Sequence, residues 1–128
     1  MLRINYRSEL PENYTGFVNF RGLGFIEHYN NGILHREDGP AYEDDEGNKQ
    51  WYFNGKLHRV NGPASELLDR DEWYINGKLH RVNGPAIEYH DESSHLNEWF
   101  LNDKEYSQEE WFEMLSEENK LEMIWNLR

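Results

Sequence analysis

A long run of residues occurs twice almost unchanged, and this constrains the fold more than any other feature of the chain. Trp51-Tyr52-Phe53-Asn54-Gly55-Lys56-Leu57-His58-Arg59-Val60-Asn61-Gly62-Pro63-Ala64 returns 22 residues later as Trp73-Tyr74-Ile75-Asn76-Gly77-Lys78-Leu79-His80-Arg81-Val82-Asn83-Gly84-Pro85-Ala86. An earlier copy begins at His28 and passes through Asn31-Gly32, His35-Arg36 and Gly39-Pro40-Ala41. A worn fourth begins at Trp99-Phe100-Leu101-Asn102-Asp103-Lys104. The units span 23, 22 and 26 residues from Trp position to Trp position. A period of this length marks stacked units, each too small to bury a face alone.

Each unit reads as strands and turns. Trp73-Tyr74-Ile75 is aromatic and β-branched, as strands prefer. Asn76-Gly77 is the strongest short hairpin signal, because both residues accept positive φ. Lys78-Leu79-His80-Arg81 returns, Asn83-Gly84-Pro85 turns again, and Ala86 to His90 forms a further strand. Pro85 cannot donate to a ladder. The connections at Asp44–Asn48, Leu67–Asp71 and Asp91–His95 are polar or turn-like, and their insertions should lie on one rim.

The ends depart from the period. Tyr14–Phe20 and Phe25–Tyr29 read as strands around Arg21-Gly22-Leu23-Gly24, so residues 1–27 form a degenerate starting unit that shields an open edge. At the other end Ser107-Gln108-Glu109-Glu110 is a capping box. Trp111, Met114 and Leu115 then share a helical face, and Met123, Leu121, Ile124 and Trp125 form a second apolar set. The pattern predicts one bent helix or two short ones over 108–116 and 118–127, with any bend at Asn119-Lys120. Trp111 and Leu115 should cover the terminal strand while Glu109, Glu110, Glu113 and Glu117 stay in solvent. The alternative use of this segment is to dock a partner through Trp111 and Trp125. The fold class is therefore mainly β: a meandering antiparallel sheet of about three and a half hairpin repeats over 28–106, with a helical cap over 107–128, in one domain.

Composition narrows the function. Mean hydropathy is −1.03 and 30% of residues are charged, yet five Trp, eight Tyr and six Phe are present. A thin sheet held by a few large aromatic residues has this balance. With no cysteine, disulfides and thiolate ligands are excluded. No apolar run approaches the roughly 18 to 20 residues of a spanning helix, and Met1–Arg7 lacks the apolar stretch of a secretory signal. The expectation is a soluble, cytoplasmic protein without membrane contact. Net charge is −12, and residues 65–128 hold six basic against sixteen acidic groups, ten of the twelve excess charges. Phosphate contact needs the opposite sign, so direct nucleic-acid binding is not expected. The acidity either keeps an exposed sheet soluble or presents a face to a basic partner.

Few residues stand in a pattern that supports chemistry. His35, His58 and His80 recur at equivalent positions, but two strands per repeat would separate them by roughly 10 Å. Zinc ligand atoms lie only about 2.0 Å from the metal, so no metal or other cofactor is expected. Ser65, Ser93, Ser94 and Ser107 sit in no nucleophile elbow, and Arg21-Gly22-Leu23-Gly24-Phe25 is no phosphate loop. The paired carboxylates Asp44-Asp45-Glu46, Asp69/Asp71-Glu72 and Glu117-Glu118 sit where solvation is the ordinary state. No catalytic residue is assigned, and an enzyme is not expected. The His-Arg pairs either satisfy turn carbonyls and cover aromatic faces or read a ligand as a repeated row. The row Trp51, Trp73 and Trp99 reads as core. Tyr52 and Tyr74 should point to the opposite face, where exposure would make a polar-aromatic strip. The candidate partner-binding residues are Tyr52, His58, Arg59, Tyr74, His80 and Arg81.

The units at 51–64 and 73–86, with the weaker one at 28–41, resemble short aromatic Asn-Gly repeats of many phage, giant-virus and bacterial proteins, related in style to MORN-type repeats. The passage from Asn102-Asp103-Lys104-Glu105-Tyr106-Ser107 into a Trp-rich acidic helix resembles the way such phage proteins finish. The resemblance implies antiparallel sheets and a scaffolding or binding role. Regular Gly-x-Gly spacing is missing, so lipid contact is not carried over. The function expected is a non-enzymatic protein-interaction module, a phage-encoded binder of a host protein. The alternatives are an acidic nucleic-acid mimic that inhibits a defence or nucleic-acid-handling protein, and a scaffold or virion component. The partner is a protein, basic in the second reading.

Overall fold

The computed structural model describes residues 2–4, 7–20 and 22–126. The chain opens with β1 (Leu2–Ile4) and a 3-10 turn at Arg7–Glu9, then the hairpin of β2 (Gly16–Phe20) and β3 (Phe25–Asn30). Repeat one supplies β4 (Ile33–Leu34), β5 (Tyr42–Asp44) and β6 (Lys49–Gln50). Repeat two supplies β7 (Tyr52–Phe53), β8 (Lys56–Leu57), β9 (Ser65–Glu66) and β10 (Arg70–Glu72). Repeat three gives β11 (Tyr74–Ile75), β12 (Lys78–Leu79) and β13 (Ile87–Tyr89), and the fourth gives β14 (Trp99–Leu101) and β15 (Lys104–Tyr106). Two helices follow, α1 (Gln108–Met114) and α2 (Glu117–Asn126).

The architecture is the expected meander, organised as two rows of strands. The larger sheet runs β1-β2-β3-β5-β6-β9-β10-β13, with β4 paired to β3. Its pairs are antiparallel except β1 with β2, which are parallel. That parallel first strand has no counterpart in the repeat pattern. The second row consists of the narrow hairpins β7–β8, β11–β12 and β14–β15. The chain passes from wide sheet to narrow hairpin at the Trp position, where a single residue separates β6 from β7 and β10 from β11. Its backbone groups stay within the repeat: Trp51 N–H donates to Ala64 O at 2.7 Å, and His58 N–H donates to Trp51 O at 3.0 Å. Trp73 makes the same two bonds with Ala86 and His80 at 2.8 and 3.0 Å.

The narrow hairpins are also joined to one another. Gly55 N–H donates to Leu34 O, Gly77 N–H to Leu57 O and Asp103 N–H to Leu79 O, each at 2.8 Å. Arg59 N–H reaches Tyr74 O at 3.2 Å and Arg81 N–H reaches Phe100 O at 3.3 Å. Repeats two to four thus each add two strands to the narrow row, and repeat two adds two to the large sheet as well. The wide turns carry the inserted residues on one side of the large sheet, and the third becomes a 3-10 turn at Glu92–Leu96.

The core is small, as the composition requires. Ala41, Ala64 and Ala86, one per repeat, are fully buried, with Val18, Phe20, Trp111 and Leu115 at the ends. Two polar side chains, Glu27 and Ser65, are buried with them. Glu27 is held by a two-point contact with Arg7, 2.9 Å at each nitrogen, and accepts from the Tyr29 hydroxyl at 2.8 Å. Arg7 also lies 5.3 Å from the Phe25 ring centre and 5.7 Å from that of Phe20. Burial, reinforced by Glu27, pushes the Tyr29 hydroxyl up to about 12.

At the C-terminus the capping box forms as read: Ser107 Oγ accepts from Glu110 N–H, and Glu110 reaches back to Ser107 N–H at 3.0 Å. Trp111 and Leu115 are buried, whereas Glu109, Glu110, Glu113 and Glu117 are exposed. The helix break falls at Leu115–Ser116 instead of Asn119-Lys120. Leu115 is extended (φ −69°, ψ 155°), and Ser116 Oγ caps the second helix by accepting from Asn119 N–H at 3.1 Å. A second serine cap therefore decides the boundary, and Asn119 and Lys120 lie inside α2. Among the described residues no helix is long and apolar enough to cross a membrane.

Candidate functional site

The repeated residues build one local machine three times. Asn54 and Gly55 have φ of 50° and 80°, as do Asn76 and Gly77, giving the primed turn that matches strand twist. In the worn repeat Asn102 and Asp103 hold φ of 50° and 69°, so an aspartate keeps the turn without glycine. This tight turn turns its amides towards the preceding repeat. Asn54 N–H donates to His35 Nδ1 at 2.9 Å, Asn76 N–H to His58 Nδ1 at 2.9 Å, and Asn102 N–H to His80 Nδ1 at 3.1 Å. A ring nitrogen that accepts must be unprotonated, so in each neutral ring the proton sits on Nε2. Burial lowers the pKa of His80.

The neighbouring arginine closes its own repeat. The Arg59 guanidinium lies 3.8 Å from the Trp51 ring centre, and that of Arg81 lies 3.7 Å from Trp73. Nη1 donates to the proline carbonyl of the next turn, at 3.1 Å for Arg59 and 3.0 Å for Arg81. The same nitrogen pairs with Glu66 at 3.0 Å and Glu88 at 3.2 Å. In repeat one Arg36 does likewise with Pro40, and also sits 3.1 Å from His28 Nε2. Burial first, and the Arg36 charge second, lower the pKa of His28. The glycine of Gly-Pro-Ala leaves the space that this guanidinium fills. A Cβ at Gly39, Gly62 or Gly84 would stand 2.9, 3.0 or 2.7 Å from the arginine Cζ.

The fourth repeat has Ser107 at the arginine position, and its Trp99 is covered from the helix. The rings of Trp99 and Trp111 lie 4.6 Å apart at 56°, and Trp111 Nε1 donates to Arg81 O at 2.9 Å.

Four open grooves lie in line along the three His-Arg loops, two between successive loops and one beyond each end. From the N-terminal end they measure about 580, 730, 550 and 430 Å³. Adjacent grooves share a wall: Glu37 and Asp38, then Arg59, Val60 and Asn61, then His80 and Val82. They form one trough along the narrow-hairpin row. Phe53, Ile75 and Leu101, the third residue after each Trp position is counted as the first, line the second to fourth grooves. Phe53 is flanked by the rings of His35 at 4.6 Å and His58 at 6.0 Å.

Of the six residues singled out in the sequence, His58, Arg59, His80 and Arg81 line the trough. Tyr52 and Tyr74 do not join them. Alternation along β7 and β11 puts them on the opposite face from Phe53 and Ile75. Both are half-buried, and burial raises their hydroxyl pKa, to about 12 for Tyr74, which also donates to Glu72 at 3.2 Å. The trough residues that the sequence reading passed over are Phe53, Ile75, Leu101, Val60 and Val82. The signal was there: the third strand residue shares the alternation face of the Trp row, and each valine directly follows a His-Arg pair. Among the described residues no three His, Cys, Asp or Glu side chains gather as a metal ion would need. No protein-family model, curated protein or solved structure matches the chain.

Proposed function

We propose that this chain is a non-enzymatic protein-binding module and that the trough between the His-Arg loops is its binding face. The observation that carries the reading is the row of four adjoining grooves, of which the middle two are built from equivalent positions of successive repeats. Repetition of one shallow, mixed polar and apolar site suits an elongated ligand surface that gains affinity by addition along its length. An enzyme would instead gather unlike groups around one enclosed position.

His58, Arg59, His80 and Arg81 contribute the walls while holding the repeats together, so alanine at these positions removes site and stability at once. Val60 separates the two roles, because its side chain is 76% exposed. Val60→Asp should leave the melting temperature within about 2 °C of the parent and abolish capture of the partner from a native lysate. Capture that is indifferent to Val60→Asp and to Val82→Asp removes the trough as the binding face.

The net charge of −12 favours a second reading, an acidic surface that occupies a basic nucleic-acid groove. Asp44, Asp45 and Glu46 sit in or beside one wide turn and Asp69 and Asp71 in or beside the next, on one side of the large sheet. Binding by that rim falls steeply with salt and ignores the valine substitutions.

A further inference from the structure

Resting on the reading of the trough as a protein-binding face, we infer that its occupant is a polyproline-like extended segment. This segment carries an apolar side chain at every third residue and a basic residue over the Glu37–Asp38 end. The first argument is spacing. Each repeat adds two strands to the narrow-hairpin row, and neighbouring strands lie about 4.8 Å apart, so equivalent grooves recur at about 9.6 Å. A polyproline II helix has three residues per turn and rises about 3.1 Å per residue, which brings the same edge back every 9.3 Å or so. Over three successive grooves the mismatch stays near 1 Å. A β-strand returns to the same face at roughly 6.6 Å and falls out of step at the second groove.

The second argument is chemistry. Grooves that accept polyproline helices are lined by aromatic rings, and the ligand carbonyls, free of internal hydrogen bonds, need donors on the rim. Here Trp51, Phe53 and Trp73 line adjoining grooves, and Val60 stands exposed on the wall between them. Asn83 is exposed on the rim, and its Oδ1 is held by Arg81 Nε at 3.1 Å, so its NH₂ is the end that can donate to a ligand carbonyl.

The third argument is charge. At the N-terminal groove Glu37 and Asp38 stand where the other repeats have valine and asparagine, and their side chains are 76% and 86% exposed. Arg36 neutralises part of this pair from 2.8 Å, and the excess negative charge there selects a basic ligand residue. The far groove ends instead on Met114 and Leu115, which takes an apolar terminus.

The test uses the full chain and two synthetic decapeptides labelled with fluorescein, read by anisotropy. One is Arg-Pro-Pro-Leu-Pro-Pro-Leu-Pro-Pro-Leu. The other has the same composition with the three leucines adjacent. The periodic peptide should bind at least tenfold more tightly, Val60→Asp and Val82→Asp should each weaken it at least tenfold, and Glu37→Gln should weaken it several-fold at low salt. Reversing the periodic sequence, to place arginine last, fixes the direction of the segment, and the tighter of the two orientations is the one compared. Equal binding of periodic and clustered peptides overturns the inference. So does failure of every peptide to bind while lysate capture still depends on Val60, and in that case the trough remains a protein-binding face for a differently shaped ligand. Loss of both overturns the trough itself.

Discussion

The two ends of the array close the same stack differently. At the C-terminus the missing arginine is replaced by an apolar plug: Trp111, 1% exposed, covers Trp99, and Leu115 is buried beside it. At the N-terminus an ion pair is added to buried Val18 and Phe20. Glu27, also 1% exposed, is held by Arg7 and Tyr29, while Phe17 stacks on His28 at 5.4 Å, the ring that stands in the Trp position. The contrast shows what the stack demands. Any group that covers the last aromatic ring and satisfies the last backbone row will serve, but an apolar plug is stable alone, whereas a buried carboxylate depends on its partner. Glu27 is no accident of the terminus either. The residue before each Trp position is Glu27, Gln50, Glu72 or Glu98, and Glu72 accepts from Tyr74 as Glu27 does from Tyr29.

Breaking the apolar end should have the largest effect. Trp111→Ala empties a buried site of indole size and orphans the Arg81 carbonyl, and should cost about 4 kcal/mol. Against a total margin of roughly 5 to 10 kcal/mol, that leaves a chain close to unfolding in chemical denaturation. A loss below about 1 kcal/mol would show that the helix is an appendage and that the contrast between the ends is false.

The ionic end should yield about half as much. Arg7→Met leaves the Glu27 carboxylate buried with the Tyr29 hydroxyl, and should cost about 2 kcal/mol, discounted because Arg7 itself is 61% exposed and water can follow it. Glu27→Gln removes the stranded charge. The double variant should therefore be more stable than Arg7→Met alone, a sign that a purely apolar role for Arg7 would not give.

How much of this was legible in the sequence depends on the range of each contact. Asn-Gly turns and the Ser107–Glu110 capping box were readable because they are local: residues two or three apart settle them. So were Trp111 and Leu115, by helical spacing. The histidine acceptor was not, since His35 receives its hydrogen from Asn54, nineteen residues on. The parallel β1 was not, because nothing in a repeat pattern describes what lies beside the first unit. Tyr52 and Tyr74 were assigned correctly to the face opposite the Trp row, but alternation alone does not say which face meets the other row of strands. The division of the meander into two rows also left no mark in the composition. It follows from the single residue at each Trp position, whose amide and carbonyl both bond within the repeat.

The repeat glycine refines this point. Gly84 reads like a turn glycine, yet the space it leaves is filled by Arg81. Gly84→Ala should cost about 1 kcal/mol, mostly lost cation–π contact with Trp73, because the displaced atoms are the far end of a flexible side chain. The indole should report it, by a change in tryptophan fluorescence in the folded state. An unchanged spectrum with unchanged stability would mean the guanidinium is not what excludes a side chain there.

The smallest effect expected is a change of stability with pH. The folded chain keeps His28 and His80 neutral, with pKa values below the ordinary one near 6.5. The unfolded chain therefore binds more protons as pH drops below about 6.5. Stability from these two rings is fully present above that value and is lost as pH falls through it toward their folded pKa values. His90 works the other way. Its hydrogen bond to the Asp71 carboxylate, with Nε2 3.0 Å from Oδ1, raises its pKa, so its contribution is full below 6.5 and fades as pH rises. Asp38, Asp44 and Glu110, all lowered, add their losses only near and below about 4. Between pH 7 and 5 the histidines therefore oppose one another, and the parent should lose little. His90→Asn removes the compensation, and its melting temperature should fall more steeply over that interval than the parent's. His80→Asn keeps an uncharged acceptor for the Asn102 amide and should flatten the profile. A His90→Asn protein whose melting temperature rises between pH 7 and 5 would show that His28 and His80 do not resist protonation.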